Sequence, residues 1–98
     1  MEKLEFDYPA ANRRVRNRAH LGVVGSGDME VLMQPAETGT AHVSVLTSVN
    51  GFSQSWKALL DRFFSKYDGA VRVDINDAGA TPGSVMLRLE QAAEEVEQ

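Results

Sequence analysis

Ser26 is the side chain of this sequence that is best placed for chemistry by another protein. It lies in the tetrapeptide Gly25-Ser26-Gly27-Asp28, between two stretches in which apolar residues alternate. This pattern predicts a hairpin with a glycine-rich tip, where no neighbouring side chain crowds the hydroxyl. A modifying enzyme could reach such a hydroxyl and esterify it. Asp28 can hydrogen-bond the turn backbone, and ordinary turn chemistry without any modification also explains the tetrapeptide.

Catalysis by the chain itself is not indicated. Cysteine is absent, and His20 and His42 have no carboxylate or second histidine at the spacing of metal ligands. Ser26, His42 and Asp77 could formally make a nucleophilic triad, but no strand-turn-helix elbow surrounds the serine. The Gly-Lys-Ser/Thr signature of a phosphate-binding loop does not follow the glycines. We therefore expect no catalytic residue, no metal site and no enzyme activity of its own.

The composition is that of an acidic domain. Ten Lys and Arg residues face 14 Asp and Glu residues, a net charge of −4, which argues against nucleic acid as a partner because phosphate backbones require a basic face. No run of apolar residues approaches the ~20 that cross a membrane. Residues 1–9 have no apolar signal core, so we expect a cytoplasmic protein with no membrane partner. The length predicts one domain over residues 1–98, in which residues 1–18 can form a flexible arm.

Four arginines lie close together before the predicted hairpin: Arg13, Arg14, Arg16 and Arg18. A charge cluster of this kind is commonly a solvated segment. Guanidinium groups also bind phosphate and carboxylate oxygens in pairs, so an anionic partner is the alternative. One strand of about six residues, ~20 Å, separates the cluster from the tip, which predicts that the arginines lie at the opposite end of the molecule.

Three strands and a helix are predicted first. Two strands flank the glycine-rich tip, and a third runs from His42 to Thr47. The helix follows Asn50-Gly51, and either Asn50 or Ser53 can cap it. Its apolar residues have the i, i+3, i+4, i+7, i+8 spacing of an amphipathic helix: Trp56, Leu59, Leu60, Phe63 and Phe64.

A fourth strand and a second helix complete the chain. Val71, Val73 and Ile75 alternate with polar residues, and Thr81-Pro82 provides a capping hydroxyl and a proline at the first helical position. The inward stripe of the last helix is Val85, Met86, Leu89, Ala92, Ala93 and Val96. The order β-β-β-α-β-α predicts an α+β fold, a four-stranded, mostly antiparallel sheet with both helices packed on one face. The passage through the first helix is compatible with a right-handed parallel crossover.

The segment Val23–Leu32, which contains Ser26, resembles the prosthetic-group segment of malonate decarboxylase acyl carrier proteins. The resemblance continues in further blocks that keep the order and length of that family: Leu4–Phe6, Pro9-Ala10, Val45–Gly51, Asp74–Gly83 and Leu87–Gln91. Together they span most of the chain. The Asp-Ser-Leu motif that marks helical-bundle acyl carriers is absent from the sequence, so that fold is not implied.

The resemblance implies a non-catalytic carrier subunit of malonate decarboxylase, the enzyme that converts malonate to acetate and carbon dioxide. Carried over by position, Ser26 bears 2′-(5″-triphosphoribosyl)-3′-dephospho-coenzyme A through a phosphodiester, and Gly25, Gly27 and Asp28 support the turn. The implied partners are the transferase and decarboxylase subunits, malonyl transferase and the transferase that attaches the prosthetic group. The alternatives are a non-catalytic interaction subunit and the carrier of a citrate-lyase-type complex, which uses the same class of cofactor on a serine.

Overall fold

Five strands and two helices make up the part of the chain that the structure, a computed structural model, describes: residues 1–23, 25 and 27–97. The strands are β1 (Glu2–Asp7), β2 (Ala19–Gly22), β3 (Met29–Pro35), β4 (His42–Thr47) and β5 (Val71–Asp77). Helix α1 (Ser53–Lys66) joins β4 to β5, and helix α2 (Pro82–Val96) follows β5. The predicted α+β class is confirmed.

The sheet has the order β1-β4-β5-β3-β2. Strands β4 and β5 are parallel and are joined through α1, while the other three pairs are antiparallel. The sequence predicted four strands, and the fifth is β1 at the edge beside β4. Only Leu4 and Phe6 face the core from β1, opposite Val45 and Val43. Two half-buried residues among charged ones are too weak an alternation to stand out in the sequence.

The core lies between the two helices and one face of the sheet. Strands β3, β4 and β5 bury every second residue, and the fully buried side chains include Met29, Met33, Leu60, Ile75 and Leu89. Helix α1 buries Trp56, Leu59, Leu60 and Phe63, and α2 buries Val85, Leu89, Ala92 and Val96. Each large side chain withdrawn from water stabilises the fold by about 1.5–3 kcal/mol. The predicted apolar stripes are thus the faces that hold both helices on the sheet.

The two helices begin differently. In α2 the hydroxyl of Thr81 accepts a hydrogen bond from the N–H of Ser84 at 3.2 Å, and Pro82 is the first helical residue, as predicted. In α1 the residue at the N-cap is Phe52, and no side chain caps the helix. The prediction of an Asn50 or Ser53 cap was therefore wrong. Burial of Trp56, one turn into α1, holds this helix start instead.

Residues 8–18 pack against the end of the sheet where β5 begins. Ala11 and Val15 are buried in the core, and Arg13 exchanges backbone hydrogen bonds with Asp68 and Ala70. The guanidinium of Arg13 lies 2.7 Å from Asp68, pairs with Glu97 and lies over the ring of Tyr67. The other arginines of the cluster, Arg14, Arg16 and Arg18, are exposed. Arg13 therefore ties the ends of both helices together, at the end of β5 opposite to the β2–β3 turn.

Candidate functional site

The turn at residues 25–28 connects β2 to β3, which confirms the predicted hairpin. The N–H of Asp28 donates to the carbonyl oxygen of Gly25 at 3.0 Å. Gly27 has φ +75°, in the left-handed region that favours glycine. Ser26, the predicted attachment residue, and its near neighbour Val24 lie outside the described residues. The described backbone on both sides of Ser26 therefore defines the candidate site.

A second loop braces this turn. The N–H of Gly27 donates to the carbonyl oxygen of Ala78 at 2.7 Å, and the N–H of Ala78 donates to the carbonyl oxygen of Asp28 at 2.8 Å. A Cβ added at Gly79 would lie 4.0 Å from the Cα of Gly27. The loop between β5 and α2 thus holds the turn by its backbone.

The carboxylate of Asp28 contacts the backbone next to the turn and a second partner that the sequence did not reveal. Its Oδ1 accepts the N–H of Met29 at 2.7 Å. The guanidinium of Arg88, on α2, lies 3.2 Å from Oδ2 and 3.4 Å from Oδ1. Both side chains are about one-third exposed. Arg88 therefore places a positive charge beside the turn, although it is 60 residues away in the sequence.

The flanks of the turn are open. Among the described residues, a Cβ added at Gly25 or Gly27 would meet nothing within 4 Å, and Val23 is largely exposed. The two glycines leave room for a bulky neighbouring group, and the side chain of Arg88, which is about one-third exposed, suits phosphate oxygens, which guanidinium groups bind in pairs. The residues present therefore fit a large, phosphate-containing prosthetic group.

A cavity of about 310 Å³ lies on the other side of the β5–α2 loop. It opens between the first turns of α1 and α2 and the last residues of β4 and β5. Its apolar wall includes Val49, Phe52, Trp56, Leu59 and Val85, and its polar groups include Thr47 and Asp77. Gly79 belongs to both features, because it lines the cavity and also approaches Gly27. The cavity and the turn are therefore neighbours.

Asp77 is a buried carboxylate with a structural role. It is 7% exposed, its Oδ2 accepts the hydroxyl of Thr47 at 2.9 Å, and its Oδ1 accepts the N–H of Ala80 at 2.9 Å. Thr47 pairs with Asp77 at one end of the β4–β5 ladder, whereas His42 lies at the other end of β4, five residues or about 17 Å away. The structure therefore does not bring His42 and Asp77 together, and the formal triad is excluded.

Both histidines contact carboxylates across neighbouring strands, which sequence spacing could not show. The two ring nitrogens of His42 lie 2.6 Å from Asp7 and Glu5 of β1, and the hydrogen bond to Asp7 is the main cause of the raised pKa of His42. His20 lies 2.7 Å from Glu30. Among the described residues, no group of three or more such side chains is arranged to hold a metal ion.

No helix within residues 1–23, 25 and 27–97 has both the length and the apolar character that crossing a membrane requires.

Comparison with known proteins gives the family. The family of the malonate decarboxylase delta subunit matches residues 16–96, which include the turn, Arg88 and the cavity. The chain belongs to this family. The malonate decarboxylase acyl carrier protein of Azotobacter vinelandii is 52% identical to this chain over 97 residues. The match covers 98% of this chain and 97% of the Azotobacter protein. The protein of the same name from Stutzerimonas stutzeri is 50% identical with the same coverage.

A solved structure supports the delta-subunit assignment. One chain of the crystal structure of a Pseudomonas malonate decarboxylase hetero-tetramer in complex with malonate has a TM-score of 0.93 to this chain. The two chains are 48% identical, and the match covers 98% of this chain and 99% of the other. The five-stranded sheet with two helices is therefore the fold of a chain that takes part in a multi-subunit decarboxylase.

Proposed function

We propose that this chain is the acyl carrier subunit of a malonate decarboxylase, and that Ser26 bears 2′-(5″-triphosphoribosyl)-3′-dephospho-coenzyme A through a phosphodiester. The observation that carries the proposal is the braced turn at residues 25–28, which has open flanks and a guanidinium beside it. This turn lies in the region that the delta-subunit family matches. Relatives that are 50–52% identical over nearly the whole chain are named acyl carrier proteins of malonate decarboxylase.

The chain would position the prosthetic group and hold its tether. When bound, the group supplies the thiol that carries the acyl unit, and the protein supplies binding and placement. Gly27 and Asp28 are fixed to Ala78 through backbone hydrogen bonds. A carrier tip that is fixed in this way presents the tether in one direction. Tethering replaces a bimolecular encounter by an intramolecular one, which raises the effective concentration of the carried group.

Arg88 is the residue we assign to the first phosphate of the tether. Its guanidinium already binds a carboxylate, that of Asp28, next to the attachment position. A guanidinium has five donors, so it can keep one bond to Asp28 and donate another to a phosphodiester oxygen. Partial exposure of Arg88 leaves room for that second partner.

The partners we propose are the transferase and decarboxylase subunits, malonyl transferase and the transferase that attaches the prosthetic group. The related solved structure is a hetero-tetramer, which supports a multi-subunit assembly. Val23, Val49 and Phe52 are exposed large apolar residues in segments that lead into the turn or border the neighbouring cavity. Exposed apolar side chains grouped near one functional feature suit contact with partner subunits.

Two other functions are the alternatives to this one. An interaction subunit without any modification would use the same exposed residues and leave Ser26 free. A carrier of a citrate-lyase-type complex would use the same class of cofactor, but the family and relatives found favour malonate decarboxylase.

Reconstitution of the decarboxylase complex tests the proposal. We expect the Ser26→Ala subunit to assemble with its partners but to give no decarboxylation of malonate. Ser48→Ala is the matched control, because Ser48 is an exposed serine that uses its backbone N–H, not its hydroxyl, to bind Asp77. A complex that remains active with Ser26→Ala would refute the assignment of Ser26.

A further inference from the structure

We infer that the cavity beside the turn binds the acetylated thiol end of the tethered prosthetic group and disfavours the malonyl form. This inference rests on the proposed function, because it requires the group on Ser26. The cavity of about 310 Å³ is at the lower end of the size range of small-molecule sites, ~300–1,000 Å³. It therefore has room for an acetyl thioester and the short chain next to it, but not for the whole prosthetic group.

The position of the cavity makes an intramolecular ligand natural. Gly79 lines the cavity, and a Cβ on it would lie 3.9 Å from the side chain of Val49 and 4.0 Å from Gly27, the residue that follows Ser26. Gly27, the residue after the proposed attachment position, therefore lies close to the cavity wall. The prosthetic group has to fold back to place its thiol end in the cavity. The exposed side chains of Phe52 and Val49 form an apolar path into the opening.

The chemistry of the wall distinguishes the two acyl groups. Trp56, Leu59 and Val85 offer apolar surface to the methyl group of an acetyl thioester. Among the described residues that line the cavity there is no Lys, Arg or His. The carboxylate of Asp77 belongs to the described part of the wall, and both of its oxygens are occupied by Thr47 and Ala80. A malonyl carboxylate would therefore be desolvated beside a negative charge and without a cationic partner, which is unfavourable.

The tether compensates for weak binding. A short flexible linker gives an effective concentration in the millimolar range, so a site with a millimolar dissociation constant would be filled roughly half of the time. Such occupancy shields the acetyl thioester from water and still releases it readily to a partner subunit. The malonyl thioester would stay outside, exposed to the decarboxylase subunits.

Nuclear magnetic resonance on the loaded wild-type protein gives the direct test. Intact mass first confirms that the group is attached, and the thiol is then loaded with acetyl labelled in its methyl carbon. We expect nuclear Overhauser effects from the acetyl methyl to the methyl groups of Leu59 and Val85, and none from the methylene of a labelled malonyl group. Full loading without any such effect in the acetyl form would overturn the inference while leaving the proposed carrier function intact.

A cavity-filling variant gives an independent readout. Ala80 lines the cavity and is only partly buried, so Ala80→Leu should occupy the space of the acyl group. We expect the acetyl thioester to hydrolyse about two-fold faster in this variant, as follows from loss of half-occupancy, with no change for the malonyl thioester. Ala58→Leu is the matched control, because Ala58 is exposed on α1 and is not part of the cavity wall.

The outcomes separate the two proposals. Equal hydrolysis rates in the wild type, Ala80→Leu and Ala58→Leu would contradict the cavity inference even when Ser26 is fully loaded. The same acceleration for acetyl and malonyl thioesters in Ala80→Leu would contradict the discrimination between them. Absence of any adduct on wild-type protein made with the attaching transferase would overturn both the proposed function and this inference.

Discussion

The N–H of Gly27 lies 2.7 Å from the carbonyl oxygen of Ala78, to which it donates a hydrogen bond. Ala78 returns a bond to Asp28, so the turn that contains Ser26 is fastened to the loop that precedes α2. That loop also lines the apolar cavity through Gly79 and Ala80. The turn that holds the proposed attachment residue and the cavity therefore share one structural support, and changes to that support should affect both.

Replacing Gly22 tests whether the close approach of β2 to β3 near the turn requires a glycine. A Cβ at Gly22, where φ is +80°, would lie 2.2 Å from the carbonyl oxygen of Met29. We expect Gly22→Ala to lower the free energy of unfolding by on the order of 1–3 kcal/mol, because the backbone must shift and the left-handed conformation disfavours alanine. Urea denaturation followed by circular dichroism measures the loss.

Gly25→Ala is the control for this change. Gly25 is not in the left-handed region, and its Cβ would meet open space. Its free energy of unfolding should stay within about 0.5 kcal/mol of the wild type. Equal free energies of unfolding of the two alanine variants would show that the close approach of Gly22 to Met29 does not limit the stability of the fold.

Replacing Arg88 tests whether its positive charge assists attachment of the prosthetic group. We expect Arg88→Gln to slow attachment of the prosthetic group roughly ten-fold, which is the lower range for losing one charged hydrogen bond. The stability should fall by less than about 1 kcal/mol, because the ion pair with Asp28 is partly exposed and screened by solvent. A time course of intact mass with the attaching transferase measures the rate.

Arg72→Gln is the matched control for Arg88→Gln. Arg72 also pairs with an aspartate, Asp74 at 3.4 Å, but lies on the sheet face away from the helices. It should leave attachment unchanged, and Arg88→Lys should restore part of the rate. An Arg88→Gln protein that is modified as fast as the wild type would contradict the role of Arg88.

Phe63 belongs to the apolar face of α1, and replacing it tests whether that face holds the core. Its ring is 6% exposed and packs edge-on against Phe64. We expect Phe63→Ala to lower the free energy of unfolding by about 3–5 kcal/mol, whereas Phe52→Ala, at a half-exposed position, should change it by no more than about 0.5 kcal/mol. A Phe63→Ala variant that melts within about 2 °C of the wild type would show that the stripe does not hold the core.

His42 gives the fold a pH-dependent contact between β1 and β4. Hydrogen bonds to Asp7 and Glu5 raise the pKa of His42 above its ordinary value of 6.5, so the stabilisation is present below pH 6.5 and is lost as the pH rises through the raised value. The pKa of Glu5 is lowered below its ordinary 4.5 by the hydrogen bond from His42, so that part is lost in stronger acid. The contact is therefore strongest near pH 5.5.

Melting temperatures of the wild type and His42→Gln across a pH series test this window. We expect the wild type to have the larger advantage at pH 5.5, and the two melting temperatures to converge at pH 8.5. The neighbouring charged residue on β5 is Arg72, which pairs with Asp74. An advantage that is constant or grows toward pH 8.5 would contradict the assignment to His42.

The sequence predicted those elements whose pattern is local. Three kinds of feature depend on residues that are close together in the sequence: the apolar faces of α1 and α2, the hairpin, and the Thr81 cap. All of them are confirmed. Strand β1 was missed because its identity comes from pairing with β4, about 40 residues away. Arg13 could be placed at the far end of the molecule from the spacing alone, but its partners Asp68 and Glu97 belong to the ends of α1 and α2.

Some residues of the candidate site were predicted from local sequence patterns, and others were not. The glycines and Asp28 were predicted from turn chemistry and from the family resemblance. Arg88 and the cavity were not, because Arg88 reaches Asp28 across 60 residues and the cavity is assembled from four elements of the fold. A helix places Arg88 beside the turn only after α2 has docked on β2 and β3, and no sequence pattern records that docking.

The site of the covalent group is the central claim, and one peptide map tests it directly. Cleavage after Glu5 and Glu30 gives a peptide of residues 6–30 in which Ser26 is the only serine and no threonine occurs, whereas Ser48 and Ser53 fall in the peptide of residues 38–90. Protein produced together with the attaching transferase should carry the added mass on residues 6–30, and Ser26→Ala should carry none. An adduct on residues 38–90, or one that persists on residues 6–30 of Ser26→Ala, would contradict the account.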